Sequence, residues 1–273
     1  MAKKMTGIVA QFGTKGYGFI TGDDGEKYFV HQKNVFNKSR LRSDTRVKFK
    51  VETSEKGLVA VDVKLEKIAD IENAVKSIFT PQAQIDAFHP VNNTTGSSGY
   101  LSNIIYPMIN SFKGFQRRNN IIIGGEYLGG EWVTSTGYFL GHFDKSWLGI
   151  PPSGKLEHIR YGEFHKMRDG KIIQSQIFLG VAELLIDLGI WPLELMGGYE
   201  GLTPGPSTQD GISLTESEPV KSRATADLVE GMLMELASPD AAWLPYWDDR
   251  MIWYGPGGFG SYVTTEAFAA FQV

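Results

Sequence analysis

Over residues 6–65 apolar and polar positions alternate in short runs separated by turn residues. Residues 7–12, 16–20, 27–31, 46–51 and 58–63 each have the period-two pattern of a half-buried strand. Asp23-Asp24-Gly25 and Glu55-Lys56-Gly57 supply turns between them. From Glu66 the period changes. Leu65, Ile68, Ile71, Val75 and Ile78 recur at helical spacing, which predicts a helix over 66–79 that Thr80-Pro81 stops. A second helix is predicted over 100–112, with Leu101, Ile104, Ile105, Met108 and Phe112 on one face and a kink at Pro107. Four strands follow, at 119–127, 131–143, 155–167 and 171–179, the last two joined at Asp169-Gly170. Residues 181–188 then read as a short helix capped by Gly189.

These elements divide the chain. The first 66 residues predict an all-β five-stranded barrel of the OB type. Residues 67–79 form a helical linker, and 80–195 an α+β cone, a curved antiparallel sheet wrapped around helices whose interior is a natural pocket. Residues 196–222, rich in Gly, Pro, Ser and Thr, read as a second linker. Residues 223–273 carry a helix at 224–237 and a crowd of aromatics, Trp243, Tyr246, Trp247, Trp253, Tyr254 and Phe259. Such crowding more often marks core or interface than a ligand cage.

Charge sharpens the division. The chain of 273 residues has a net charge of −4, but 13 Lys/Arg against 8 Asp/Glu up to Glu66 give the first module +5. The remaining 14 basic and 23 acidic residues leave −9 on the rest. A basic module suited to a phosphate backbone is thus joined to an acidic one with a different partner. No cysteine is present, which excludes disulfides, thiolate metal sites and thiol chemistry and fits a cytoplasmic location. No apolar run is long enough to span a bilayer, and the basic N-terminus lacks the apolar stretch of a signal peptide, so no membrane partner is expected.

Chemistry concentrates first in Lys15-Gly-Tyr-Gly-Phe-Ile20 and Tyr28-Phe-Val-His31. Alternation places Tyr17, Phe19, Phe29 and His31 on one face, where bases can stack, with the intervening glycines keeping that face open. Lys15, Lys33 and Arg40, with Lys38 and Arg42, can rim it and hold phosphates. These motifs, with Met5-Thr-Gly-Ile-Val9, resemble a bacterial cold-shock domain over residues 5–66. The resemblance implies binding of single-stranded RNA or DNA, with Tyr17, Phe19, Phe29 and His31 at the family's stacking positions. Gln11 stands where the family usually has Trp, and Gln32 where it has Phe. The loss of two rings implies weaker binding, by about a few kcal/mol on the stacking scale.

In the second domain the polar candidates are His142, Glu163 and His165. Alternation along 155–167 sets Tyr161, Glu163, His165 and Met167 on one face and His158 and Arg160 on the other. A His and a carboxylate two apart can serve as an acid/base pair; the competing reading is either solvated sheet-face residues or a satisfied interior polar pair. No phosphate-binding loop, nucleophile elbow or metal-spaced His pair is present, and no cofactor is expected. Gly137-Tyr-Phe-Leu-Gly141, Trp147-Leu-Gly-Ile-Pro-Pro-Ser-Gly154, Asp169-Gly-Lys-Ile172 and Ala182-Glu-Leu-Leu-Ile-Asp-Leu-Gly189 resemble a SnoaL-like polyketide cyclase domain of the nuclear-transport-factor-2-like superfamily. The resemblance implies metal-free, cofactor-free aldol closure, with a pocket Asp near the end of the last strand as acid/base. That position carries Gly180 here, and Glu183 falls in the following helix. The alternatives are a cyclase or isomerase, a pocket for a small hydrophobic ligand, and a homo-oligomerisation platform that raises weak nucleic-acid affinity by avidity. Residues 247–271 resemble the opening of a second such repeat without its remaining strands. That segment is expected to dock on the first repeat, contact another chain or be poorly ordered. A natural fusion, an engineered one and a truncated fragment all stay open.

Overall fold

The computed structural model describes residues 3–206, 208, 211–212, 215–236, 240 and 242–272. It falls into two compact units, Met1–Pro81 and Gln82–Val273.

The first unit is a closed barrel. Strands β1 (Lys4–Phe12), β2 (Tyr17–Gly22), β3 (Lys27–His31), β4 (Arg46–Ser54) and β5 (Gly57–Leu65) close in the order β1-β2-β3-β5-β4. Alternation fills its interior: Val9, Ile20, Tyr28, Val30, Val47, Phe49, Ala60 and Val63 are all buried. The basic positions of β4 take the outward phase of the same period, so Val47 and Phe49 point in while Arg46 is exposed. Helix α1 (Glu66–Ile78) belongs to this unit rather than standing apart as a linker. Its buried side includes Ile68, Ala69 and Val75, and Lys64 on β5 reaches Glu72 at 2.7 Å.

The second unit is α+β. A six-stranded sheet runs β7-β6-β11-β10-β9-β8, formed by β6 (Phe79–Ala87), β7 (Asn93–Thr95), β8 (Phe112–Tyr127), β9 (Gly130–Phe143), β10 (Leu156–Arg168) and β11 (Lys171–Leu179). β6 begins where the pattern expects Thr80-Pro81 only to stop a helix, and β7 lies in a stretch for which it predicts no element. In β6 the buried residues are Phe79, Ala83 and Ile85, with Pro81 between the first two exposed. The predicted second helix starts earlier, with α2 (Gly96–Tyr100), continues through a π turn over Leu101–Ile105 and ends with α3 (Tyr106–Ser111). The wider turn ends two residues before Pro107, whose missing N–H no α-helical bond could use. Phe112, expected on that helix, instead opens β8 and stacks on Phe143 with ring centroids 4.7 Å apart. Asp169 (φ 52°) and Gly170 (φ 68°) make the tight turn from β10 to β11 that two consecutive positive φ angles require.

Beyond β11 come α4 (Val181–Asp187), α5 (Pro219–Glu235), the two-stranded β12 (Ile252–Trp253) and β13 (Tyr262–Val263), and α6 (Thr265–Gln272). α5 begins before the predicted helix and fully buries none of its residues, although Met232 and Leu236 are half-buried; Ala237 lies outside the described residues. The terminal aromatics pack on one another: Trp243, Trp247 and Trp253 each contact Phe268, with centroids 5.1, 5.1 and 4.9 Å away.

Candidate nucleic-acid interface and ligand cavity

Strands β2 and β3 pair Tyr17 with His31 and Phe19 with Phe29, and cross-strand partners project to the same side. The Phe29 ring stands 6.2 Å from Tyr17 and 5.9 Å from Phe19. Tyr17 and Phe19 are 44% and 38% exposed, large values for aromatic rings on a barrel. Phe29 and His31 are half-buried. His31 Nδ1 accepts the Lys33 backbone N–H at 3.1 Å, which fixes the ring and leaves Nε2 for another partner. Lys15, Lys33 and Arg40 are exposed, and none is in an ion pair among the described residues. Gln11 lies opposite Phe19 and extends the row by one strand; Gln32 is committed elsewhere, donating from Nε2 to the Lys38 carbonyl at 2.6 Å. Gly18 does not keep the stacking face open. It points inward, where a Cβ would collide with the Gln11 carbonyl of the neighbouring strand, so glycine is required there by the close approach of β1.

In the second unit the two faces of the sheet hold different chemistry. Register pairs Tyr161 with Gly137 and Glu163 with Ser135 on the inner, helix-covered face, and Arg160 with Tyr138 on the outer one. On the inner face Glu163 is completely buried. Its carboxylate receives the Tyr100 hydroxyl at 2.9 Å, Arg117 Nη1 at 2.7 Å and His165 Nε2 at 3.4 Å. Arg117 also donates to Asn119 and to Ser135 Oγ, each at 2.9 Å, and its guanidinium lies 4.3 Å from the Tyr161 ring centroid. His165 Nδ1 meets Ser175 Oγ at 2.8 Å. Burial by itself would raise the Glu163 pKa, but the His165 hydrogen bond and the Arg117 charge outweigh it and hold the carboxyl at about 2. Burial and the adjacent Glu163 charge push the Tyr100 hydroxyl well above its ordinary value.

Glu163 and His165 therefore meet, as their spacing predicts, inside a satisfied polar cluster. His142 does not join them. It is exposed on β9, seven positions from Ser135 and so on the opposite face of the strand. Sequence reasoning missed Tyr100 and Arg117. The pattern marks Tyr100 only as a helix start, and Arg117 lies before the predicted beginning of its strand.

The open cavity lies on the outer face. It encloses about 450 Å³ beside Gly180, between Thr136 and Tyr138 of β9, Arg160 of β10, Phe178 of β11, Glu183 of α4 and the later segment at Tyr254 and Pro256. That segment is held across the sheet by several bonds. Tyr138 Oη meets Thr203 Oγ1 at 2.7 Å and accepts the Thr203 N–H at 2.9 Å. Tyr254 donates to the Pro204 carbonyl at 2.8 Å, and Arg160 Nη2 to the Gly255 carbonyl at 2.6 Å. The polar end of the cavity is the Arg160–Glu183 pair, whose side chains are 17% and 7% exposed.

Comparison with solved structures finds, at 16% identity and a TM-score of 0.36, a SnoaL-like polyketide cyclase candidate from Jannaschia sp. CCS1, covering 45% of this chain and 79% of that one. An NTF2-like protein from Burkholderia thailandensis E264 matches at 14% identity and a TM-score of 0.33, over 46% of this chain and 96% of that one. Among curated proteins, the cold shock-like proteins CspG and CspI of Escherichia coli K12 are 44% and 45% identical over 69 residues, 23% of this chain and 96% of each relative. The 'Cold-shock' DNA-binding domain family matches residues 5–66, the barrel that carries Tyr17, Phe19, Phe29 and His31. Through that barrel the chain belongs to the cold-shock family.

Proposed function

We propose that the chain holds single-stranded RNA or DNA on the face formed by Tyr17, Phe19, Phe29 and His31, with Lys15, Lys33 and Arg40 holding phosphates. The observation that carries this reading is the pairing of two exposed rings, Tyr17 and Phe19, with His31 and Phe29 directly opposite. Stacking on such rings is worth about 1–3 kcal/mol per base and tolerates any base, while the cations add a salt-dependent term. Filter binding of an unstructured oligonucleotide tests it. Affinity should fall as salt rises and fall again in Phe19→Ala; salt-independent retention, or equal binding by the variant, sinks the proposal.

The second unit takes a different role in this reading: it holds a small, largely apolar molecule. The outer-face cavity supports that role. The inner cluster does not support proton transfer by Glu163, because a carboxylate held near pKa 2 by the His165 hydrogen bond and the Arg117 charge is a poor base at neutral pH. We assign Glu163 and His165 to positioning the inner face, and no chemical step to the exposed His142. A fluorescent apolar probe that stays in bulk solvent at every protein concentration would remove the ligand-binding role.

A further inference from the structure

The polar end of the outer-face cavity is asymmetric. Arg160 donates from Nε at 2.8 Å and from Nη2, and both bonds land on Glu183 Oε1. Glu183 Oε2 receives no hydrogen bond among the described residues, although the side chain is only 7% exposed and lines the cavity. The oxygen is open to the cavity rather than enclosed by protein, so a ligand donor placed there takes the position that water would otherwise serve.

Gly180 makes the arrangement possible. A Cβ at that position would stand 2.5 Å from Glu183 Oε2 and 3.4 Å from the Arg160 Cβ. Its φ of −72° is open to any residue, so the backbone does not demand glycine. What glycine preserves is the position of the carboxylate: a side chain at 180 would push Glu183 Oε2 from the place it occupies. Because the Arg160–Glu183 pair is neutral as a whole, the ligand needs no net charge. The rest of the wall, including Ile121, Phe178 and Pro256, is suited to an apolar body.

We propose that this cavity binds a compact, uncharged, largely apolar molecule bearing one hydroxyl or N–H group, whose proton is accepted by Glu183 Oε2. The proposal rests on the small-molecule role given to the second unit and adds the chemical class of its ligand.

Two probes with the same aromatic body test it on the full chain: 2-naphthol, which can donate, and 2-methoxynaphthalene, which cannot. Binding is followed by probe fluorescence in a Phe19→Ala/Phe29→Ala background, so that the cold-shock face does not capture either ring. The expected result is a preference for 2-naphthol of about tenfold or more, the scale of one hydrogen bond to a charged acceptor. Glu183→Gln removes the charge, and Gly180→Ala drives a methyl against Oε2 while keeping both charges. Each should bring the two affinities within about threefold, with thermal melts reporting that the variant is folded. Equal binding of both probes to the unsubstituted cavity overturns the donor preference but leaves the small-molecule role standing. Binding of neither probe overturns both. A preference that survives in folded Gly180→Ala and Glu183→Gln places the acceptor elsewhere and removes Glu183 from the site.

Discussion

Arg117 Nη1 stands 2.7 Å from Glu163 Oε2, beneath the helices of the second unit, with the carboxylate side chain 1% exposed. Removing one member of such a pair leaves the other charge buried and unmatched, at a cost of about 3–5 kcal/mol. Arg117→Met should therefore lower the stability of the second unit far more than a surface Arg substitution does. An Arg117→Met/Glu163→Gln double variant should recover part of the loss. Because the chain has two units, urea unfolding is to be read as two transitions, with only that of the second unit moving.

The same pair sets an acid limit. Glu163 is held at about 2 against an ordinary value of 4.5, so its folded-state pKa is depressed. The stability it contributes is complete above pH 4.5 and is lost as the pH falls from there through about 2. Melting temperatures of the second unit should fall over that window in the native chain. In Glu163→Gln the curve should start lower and be flatter across it. Parallel curves would show that Glu163 does not carry the acid response.

How far this was legible in the sequence differs by face. Alternation along β10 correctly separates Tyr161, Glu163 and His165 from His158 and Arg160, because a strand with one covered face keeps a strict period of two. The barrel is legible for the same reason, and its stacking residues follow from two adjacent strands. What the pattern could not supply is which face carries the open space. The inner face is occupied by Tyr100 and Arg117, whose meeting with Glu163 depends on a helix and a strand far away in the chain. The outer cavity depends on Tyr138 and Arg160 capturing Thr203 and Gly255, pairings with no local signature. Gly180 was visible as a missing side chain, but only packing shows that the Glu183 carboxylate fills its place.

The Tyr138–Thr203 anchor gives a third expectation. One hydroxyl serves both the side chain and the backbone N–H of Thr203, which is 4% exposed. Tyr138→Phe keeps the ring and leaves that N–H without its acceptor, a loss of about 1–3 kcal/mol. The segment across the outer face should then be cut sooner in limited proteolysis, while the barrel resists as before. Unchanged cleavage near Thr203 would mean that other contacts hold the segment.

Phe19→Ala and Phe29→Ala should each weaken single-strand binding about 5- to 150-fold, the affinity equivalent of one lost stack. The two differ in stability. Phe19 is 38% exposed, so its truncation should shift the barrel's melting little, whereas half-buried Phe29 contacts both neighbouring rings and should cost more. Tyr28→Ala, on the inward side of the same strand and 3% exposed, should instead unfold the barrel. A binding loss in Phe19→Ala matched by an equal loss of folding would remove the distinction between platform and core.

The most demanding test is one of gain. Gln11 is exposed on β1, and the register sets it opposite Phe19, which in turn faces Phe29, so the three form one row across three strands. Two members of the row are rings; the third is an amide that can hydrogen-bond but offers no π-face. Gln11→Trp adds a ring where an oligonucleotide crossing the row would meet it, and should tighten binding by about 1–3 kcal/mol, or 5- to 150-fold. The salt dependence should keep its slope, because that slope counts phosphates neutralised and the substitution adds no cation. Gln11→Lys makes the matching control, steepening the slope without the gain of a stack. If Gln11→Trp leaves affinity unchanged while Phe19→Ala lowers it, the strand does not pass over β1, and the bound path ends at Phe19.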